Sequence, residues 1–270
     1  MKPVPRLGLI INTWNQPEYL ARVLEAVSRQ HSLPDEVVLA DDGSDGQTGQ
    51  VFQNWAQAYS HATAHVWQEH QGFRRARILN QAIARAQSQY LIFLDGDTVP
   101  HPRFIADHRQ LASANAFVQG HRALTRQAAA AWFGLGKFNA DRRRAVWRGQ
   151  IKGIKHAFRW PLPLRALRHD LRGVRGCNLG IWRDHLVRIN GYNEAFIGCG
   201  REDSELAVRL MHLGIQRLDV RGWALCVHLW HQPASRNAVP ANDELLAHAQ
   251  RSGVSRCAMG LDQYLGTPAT

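Results

Sequence analysis

The run Tyr90-Leu-Ile-Phe-Leu94, followed at once by Asp95-Gly96-Asp97, constrains this chain more than any other stretch. Five consecutive apolar residues are too few for an ordinary helix and suit a strand buried on both faces. Two other apolar runs end in polar clusters in the same way. Leu7-Gly-Leu-Ile-Ile11 leads into Thr13-Trp14-Asn15, and Glu36-Val-Val-Leu-Ala40 into Asp41-Asp42-Gly43-Ser44. Helical patterns lie between them: Leu20, Val23, Leu24 and Val27 recur at i, i+3, i+4 and i+7 behind Pro17, and Ile78, Leu79, Ala82, Ile83 and Ala86 repeat the stripe. A further short strand is expected over 64–67. Strands alternating with amphipathic helices predict β-α-β units and a parallel sheet. The carboxyl ends of parallel strands share one edge, so the three polar clusters should line one cleft.

The residue types at that edge suggest chemistry. Carboxylates at i and i+2 across a glycine turn can hold a hard divalent ion and leave positions for phosphate oxygens. An isolated pair of this kind also suits a plain polar turn; here the apolar strand ahead of it fixes where the acids point. In Asp41-Asp-Gly-Ser44 one carboxylate can accept the N–H of a uracil-type base. Gly72-Phe-Arg-Arg-Ala-Arg77 brings cations to a helix start, where a diphosphate gains from both the guanidinium groups and the helix dipole.

Beyond Pro100 the pattern changes. Residues 121–175 carry fourteen Lys/Arg against Asp141 and Asp170, while the whole chain has a net charge of +11, so the remainder is nearly neutral. Such a patch calls for an anionic partner: nucleic acid, a phosphorylated glycan or a lipid surface. Trp132, Phe133, Phe138, Trp147, Phe158 and Trp160 interleave with the cations, which suits the interface of an anionic membrane and equally a solvated basic face with its aromatics in the core. A helix is expected over 202–213, stopped by Gly214, and a strand over 223–229; the tail after Pro233 reads as polar and peripheral. No apolar run approaches the ~20 residues of a membrane span, and Leu7–Ile11 is too brief for a signal-peptide core. Cys177, Cys199, Cys226 and Cys257 stand far apart without a C-x-x-C pair, which predicts a reducing, cytoplasmic setting.

Four segments in this order, Ile10-Ile-Asn-Thr-Trp-Asn15, Val38-Leu-Ala-Asp-Asp-Gly-Ser44, Gly72-Phe-Arg-Arg-Ala-Arg-Ile-Leu-Asn80 and Phe93-Leu-Asp-Gly-Asp97, resemble the nucleotide-sugar half of a family 2 glycosyltransferase. Gly176-Cys-Asn-Leu-Gly180, Gly191-Tyr-Asn-Glu194, 196–205 and Val227-His-Leu-Trp-His231 resemble the galactosyltransferase-like C-terminal portion of bacterial lipopolysaccharide and polysaccharide glycosyltransferases and of chondroitin polymerase. The resemblance implies an α/β GT-A fold, a Rossmann-like mixed sheet flanked by helices, with a C-terminal acceptor-binding portion. It covers roughly 6–120 and 174–235 and leaves the basic middle outside it or as a variable insertion. The expected division is a nucleotide-sugar half (1–120), a basic, membrane-facing segment (121–175), an acceptor and catalytic-base half (176–235) and a peripheral tail (236–270).

Position by position, the resemblance implies that Thr13, Trp14 and Asp41 hold base and ribose, with Arg74 near the uracil or diphosphate. Asn15, Asp42, Asn80 and Gly96 are further donor-site candidates. Asp95 would contact ribose or metal, and Asp97 would be the principal ligand of Mn²⁺ or Mg²⁺. His228 or His231 would complete the metal site, His228 being favoured because it ends an apolar strand. Asp203 would be the catalytic base, with Glu202 beside it. The chain departs from the family pattern at Cys199, commonly Trp, and at Arg201, often Gly; Arg201 is a candidate to read an anionic acceptor. The implied reaction is an inverting hexosyl or N-acetylhexosaminyl transfer from a UDP-sugar to a glycan or lipid-linked acceptor; the basic, aromatic segment would dock the cytoplasmic enzyme on the inner face of the membrane.

Two rival readings are a basic nucleic-acid-binding module without catalysis and a haloacid-dehalogenase-like phosphatase. The first leaves the strand-end acids unexplained, since bare carboxylates repel phosphate. The second rests on Leu94-Asp-Gly-Asp-Thr98, in which the glycine is misplaced.

Overall fold

The computed structural model describes residues 5–233 and 235–266. Its first part runs β1 (Leu7–Thr13), α1 (Pro17–Ser28), β2 (Glu36–Asp41), α2 (Gly46–Ala58), β3 (Ala62–Trp67), α3 (Arg75–Arg85) and β4 (Tyr90–Asp95). Next come β5 (Thr98–Pro100), α4 (Phe104–Leu111), β6 (Ala116–Gln119), β7 (Arg122–Thr125), α5 (Gln127–Ala130), α6 (Phe138–Trp147), β8 (Ile151–Lys152) and β9 (Leu164–Arg168). The last part holds β10 (Leu179–Trp182), α7 (Arg183–Arg188), α8 (Glu202–His212), β11 (Gln216–Arg221), β12 (Cys226–His228) and α9 (Val239–Ser252).

Eight strands form one mixed sheet in the order β3-β2-β1-β4-β10-β6-β11-β9, and a smaller sheet has the order β5-β12-β7-β8. β1 pairs in parallel with β2 and β4, with Thr13 opposite Asp41 and Asn12 opposite Asp95. The three polar clusters therefore do reach one edge. Leu7, Leu9, Ile11, Val37, Leu39, Ile92 and Leu94 face one core layer with α1, and Ile10, Val38, Leu91 and Phe93 face the other with α3. The unbroken apolar runs follow from this: each strand alternates between two dry layers.

Several expectations change in three dimensions. The basic segment is not an appendage. β7 and β8 complete the small sheet, β9 closes the edge of the large one, and Phe133, Phe138 and Ala145 are core residues. Arg159 pairs with the fully buried Asp107 at 2.8 Å, so some of the cations serve the core. The strand expected over 223–229 shrinks to β12 because Ala224 takes φ +49°, which turns the chain out of one sheet and into the other. The tail is not simply peripheral either: α9 packs on α8, and Leu261 is buried in the second core layer, its N–H bonded to the Asn190 carbonyl at 2.9 Å.

Asn80, expected at the donor site, is instead a structural pin. It is fully buried; its Nδ2 donates to the Tyr192 carbonyl and to Glu194 Oε1, both at 2.8 Å, and its Oδ1 accepts the Tyr192 N–H at 2.7 Å. The N-terminal helix α3 is thereby tied to the 191–194 turn of the second half. Truncating the amide strands two buried backbone groups at about 1–3 kcal/mol each. Asn80→Ala is expected to lower the urea midpoint by the equivalent of at least about 2 kcal/mol with an unchanged m-value, and a shift under about 0.5 kcal/mol would contradict this role.

Candidate active site

At the carboxyl edge of the sheet the loops are cross-tied by their own side chains. Asp41 is fully buried; its Oδ1 accepts the Ser44 N–H at 2.8 Å and its Oδ2 lies 3.1 Å from His65 Nε2. It lines a pocket of about 390 Å³ with His65 and Trp67. Asn15, in the left-handed region at φ +45°, donates its N–H to Ser44 Oγ and accepts the Asp45 N–H, both at 2.8 Å. Asp42, another donor candidate, is spent on the fold: it accepts from Gln68 Nε2 at 2.6 Å and from the Arg74 N–H at 3.0 Å. Burial raises its carboxyl above the usual range despite those bonds. Trp14 is half exposed and stacks on His70 with centroids 4.9 Å apart, a ready aromatic surface beside the cleft. Thr13 is buried beneath it and packs so closely on Gly96 that a Cβ there would lie 2.9 Å from Thr13 Oγ1. Gly96 is thus required by contact between strand ends.

The chain turns at Gly96 and Asp97 and immediately enters β5, whose antiparallel pairing sets Thr98 opposite His228 of β12. That pairing brings Asp97 to the histidines. His228 Nε2 is 3.4 Å from Asp97 Oδ1, and His231 Nε2 is 3.0 Å from Asp97 Oδ2. One ligand atom from each of the three lies within 4.8 Å of the others. Burial alone would raise the Asp97 carboxyl, but the His231 hydrogen bond and the charges of both histidines hold it below the usual range. Burial pushes His228 down to about 4, against the pull of Asp97, so its imidazole is neutral and able to ligate. His231 Nδ1 lies 2.7 Å from the Gln232 carbonyl, which aims Nε2 at Asp97. A carboxylate and two imidazoles suit Mn²⁺, with positions left for oxygen ligands. Both histidines join this group. Asp95 does not: the turn after β4 separates the two acids, and Asp95 faces Arg75 Nη2 at 3.2 Å and Arg122 Nη1 at 3.9 Å.

Arg75 is the residue the sequence reading missed. Arg74 was the expected cation, yet its Nε donates outward to the Gln71 carbonyl at 3.2 Å. Arg74 caps α3 with a non-helical backbone, and one residue further, at the first helical position, Arg75 is buried in the cleft. Its guanidinium meets Asp95, Glu202 at 3.3 Å and Asp203 at 2.8 Å. Asp203 Oδ2 also accepts the Gly176 N–H at 2.7 Å, and Oδ1 lies 3.5 Å from the Tyr192 hydroxyl. A side chain at 176 would fill the space of the Arg75–Asp203 contact, which accounts for glycine there. Burial and then the charge of Asp203 push Glu202 up to about 7, because one guanidinium cannot neutralise three acids.

The fold and this site define a GT-A glycosyltransferase architecture. The model of glycosyl transferase family 2 matches residues 9–184, and that of the N-terminal domain of galactosyltransferase matches 163–231. The chain belongs to glycosyl transferase family 2. The first match spans the basic segment from end to end. Chondroitin synthase of Escherichia coli is 23% identical over 239 residues, covering 82% of this chain and 34% of that protein. A mannosyltransferase from Pyrobaculum calidifontis, solved with GDP-Man and Mn²⁺, superposes with a TM-score of 0.57 at 19% identity over 89% of this chain and 60% of its own. GalNAc-T7, solved with UDP, GalNAc and Mn²⁺, gives 0.64 at 13% identity over 92% and 48%. The chain spans between 34% and 49% of the length of the first curated relatives it matches.

The buried acids predict a pH signature. A carboxyl whose pKa rises from 4.5 in the unfolded chain to about 7 in the fold favours folding below pH 4.5 and loses that contribution as pH climbs to 7. Glu202→Gln is expected to gain stability relative to the parent between pH 4.5 and 8, by an amount on the order of 2 kcal/mol. Urea titrations at both pH values check this; a pH-independent difference would contradict the buried-acid assignment.

Proposed function

We propose that this chain transfers a sugar from a nucleoside-diphosphate sugar, by preference a UDP-sugar, to a hydroxyl of a bacterial glycan or lipid-linked acceptor, with inversion at the anomeric carbon. The observation that carries this reading is the gathering of Asp97, His228 and His231 at the same cleft edge as Asp203. Asp97, His228 and His231 would hold Mn²⁺ or Mg²⁺. When bound, the cation supplies neutralisation of the charge that develops on the leaving diphosphate. Trp14 and His70 offer a stacking face for the base at the near end of the cleft.

Asp203 takes the proton of the acceptor hydroxyl as its oxygen attacks from the face opposite the diphosphate. A carboxylate has about four lone-pair sites. Arg75, Tyr192 and Gly176 use three of them, and the one left on Oδ2 accepts the hydroxyl. These contacts also fix the carboxylate's orientation, which is what a positioned base requires. A single displacement needs no enzyme nucleophile, and the buried Cys177 and Cys226 are unsuited to be one, since burial pushes both thiols up.

The basic segment supports a peripheral placement. Trp147 is 84% exposed and Leu162 79%, and Leu164 and Leu167 of β9 are also exposed, as are Arg143, Arg148 and Arg165 of the same segment. Arg142 and Arg144 instead pack over Phe158 and Trp132 at 4.8 and 4.3 Å. No helix of the described residues is long and apolar enough to cross a membrane. We assign this face to an anionic membrane surface, where the acceptor would lie.

Four measurements test these statements. Calorimetry with UDP should show binding that requires Mn²⁺ or Mg²⁺ and is lost in Asp97→Ala. Asp203→Asn should keep that binding while kcat falls by about 10²–10⁴, and NMR of the product should show the inverted anomer. Metal-independent UDP binding, or a retained anomer, defeats the reading. Phosphatidylglycerol vesicles should sediment the protein, and Arg143→Gln/Arg148→Gln should weaken this at least tenfold, at about 1 kcal/mol per charge; unchanged sedimentation rejects the membrane face.

A further inference from the structure

A second concavity, of about 920 Å³, is walled by the 169–175 loop, by Ser204, Val208, Met211 and His212 along α8, and by Gln250 of α9. Its size is at the upper end of the ~300–1,000 Å³ usual for small-molecule sites. The wall is cationic: Arg172, Arg175, Arg201 and Arg236 line it, with His169 and His212, and Asp170 is the single acid among the lining residues. Asp170 is already engaged, accepting the Arg172 N–H at 2.9 Å and facing Arg168 and Arg217 at 3.5 Å. Arg201 pairs with Asp243. Among the described residues, no carboxylate oxygen comes within the 4.0 Å of an ion pair to the side chains of Arg172, Arg175 or Arg236. These guanidinium groups are solvent-exposed and line one concavity, and their summed charge makes a positive potential there.

Two details connect this cavity to the chemistry. Asp203 Oδ2 is bonded to the N–H of Gly176, the residue after Arg175, and Ser204 beside Asp203 is itself in the cavity wall. A group bound among the arginines is therefore held next to the base. Arg201 has φ +79°, a conformation that strains any residue with a Cβ and that glycine would adopt freely. The chain keeps a strained arginine at the cavity mouth, held by Asp243 of α9.

We propose that this cavity is the acceptor subsite and that the acceptor is an anionic saccharide, carrying a phosphoryl or carboxylate group near the hydroxyl that is glycosylated. The proposal rests on the transferase reading and names the acceptor class for it. Guanidinium forks recognise both kinds of oxyanion through paired N–H donors. Holding the anion there orients the neighbouring hydroxyl toward Asp203, and a neutral sugar would leave the arginines without a partner.

The test is a set of equilibrium titrations on the protein saturated with UDP and Mg²⁺, so that the diphosphate position is filled. The probes are glucose 6-phosphate, glucuronate and neutral methyl glucoside. At least one anion should bind tenfold or more tightly than the glucoside, and the preferred anion identifies phosphoryl or carboxylate as the source. Arg172→Gln/Arg175→Gln and Arg236→Gln should each weaken anion binding at least tenfold. Arg201→Gly should weaken it too while relieving backbone strain, so misfolding cannot account for the loss. Arg85→Gln, at the exposed end of α3 and outside the cavity, should bind like the parent. Equal affinity for anions and glucoside, or variants that bind normally, overturns the proposal. So does tight, UDP-independent binding of a random oligonucleotide that the same variants abolish, which would make the cavity a nucleic-acid contact. UDP binding measured on the same samples separates the failures. Intact UDP binding without anion binding removes the acceptor assignment alone; anion binding without metal-dependent UDP binding removes the transferase reading beneath it.

Discussion

One buried guanidinium, that of Arg75, holds the two halves of the cleft in register. It stands at the first turn of α3 and touches Asp95 from the end of β4 and Glu202 and Asp203 from the start of α8. A buried cation without counter-ions costs several kcal/mol, and so does each buried carboxylate alone. Neither set is tolerable without the other, so the start of α8 must lie against the sheet edge. The bulk of the stabilisation comes from the two dry layers on either side of the sheet. Those layers are non-directional, however, and it is the charge contact that fixes the angle at which Asp203 meets the cleft. The imbalance of one cation against three acids is also why Glu202 holds its proton to about pH 7.

A second constraint acts at the other end of the cleft. Pairing of β5 with β12 is the event that gathers a group able to hold a metal out of residues far apart in the chain. Asp97 supplies a carboxylate at a turn, His228 the last position of a short strand, and His231 a loop position aimed by the Gln232 carbonyl. The basic segment helps hold that small sheet in place, since β7 lies beside β12 and Thr125 Oγ1 accepts the Trp230 N–H at 2.8 Å. Its charge surplus therefore has three uses on one stretch of chain: Arg159 serves the core, Arg142 and Arg144 cover aromatic rings, and Arg172 and Arg175 face an open cavity.

Much of the architecture was readable in the chain itself. Apolar runs ending in Thr13, Asp41 and Asp95 implied parallel strands with their acids on one edge, because strand period and crossover topology leave little choice. The motifs added Asp97, Asp203 and the histidine pair. What failed was orientation over one or two residues. Arg74 and Arg75 are equivalent as letters, and only the phase of α3 decides which enters the cleft. Asp95 and Asp97 look like a pair of ligands, yet the turn at Gly96 sends them to different partners. Asn80, spelled within a donor-site motif, is consumed by the backbone of Tyr192.

The sequence by itself therefore determined the parallel strands that open the sheet, the edge on which their polar ends gather, and the residue types found there. These depend on local periodicity and on short spacings, which a linear pattern encodes. Tertiary structure alone decided the partner of each charged group: Arg75 with three acids, both histidines with Asp97, and four arginines around an open cavity. Those pairings join residues distant along the chain, and electrostatic energy depends on distances and burial that exist only once the strands and helices have packed.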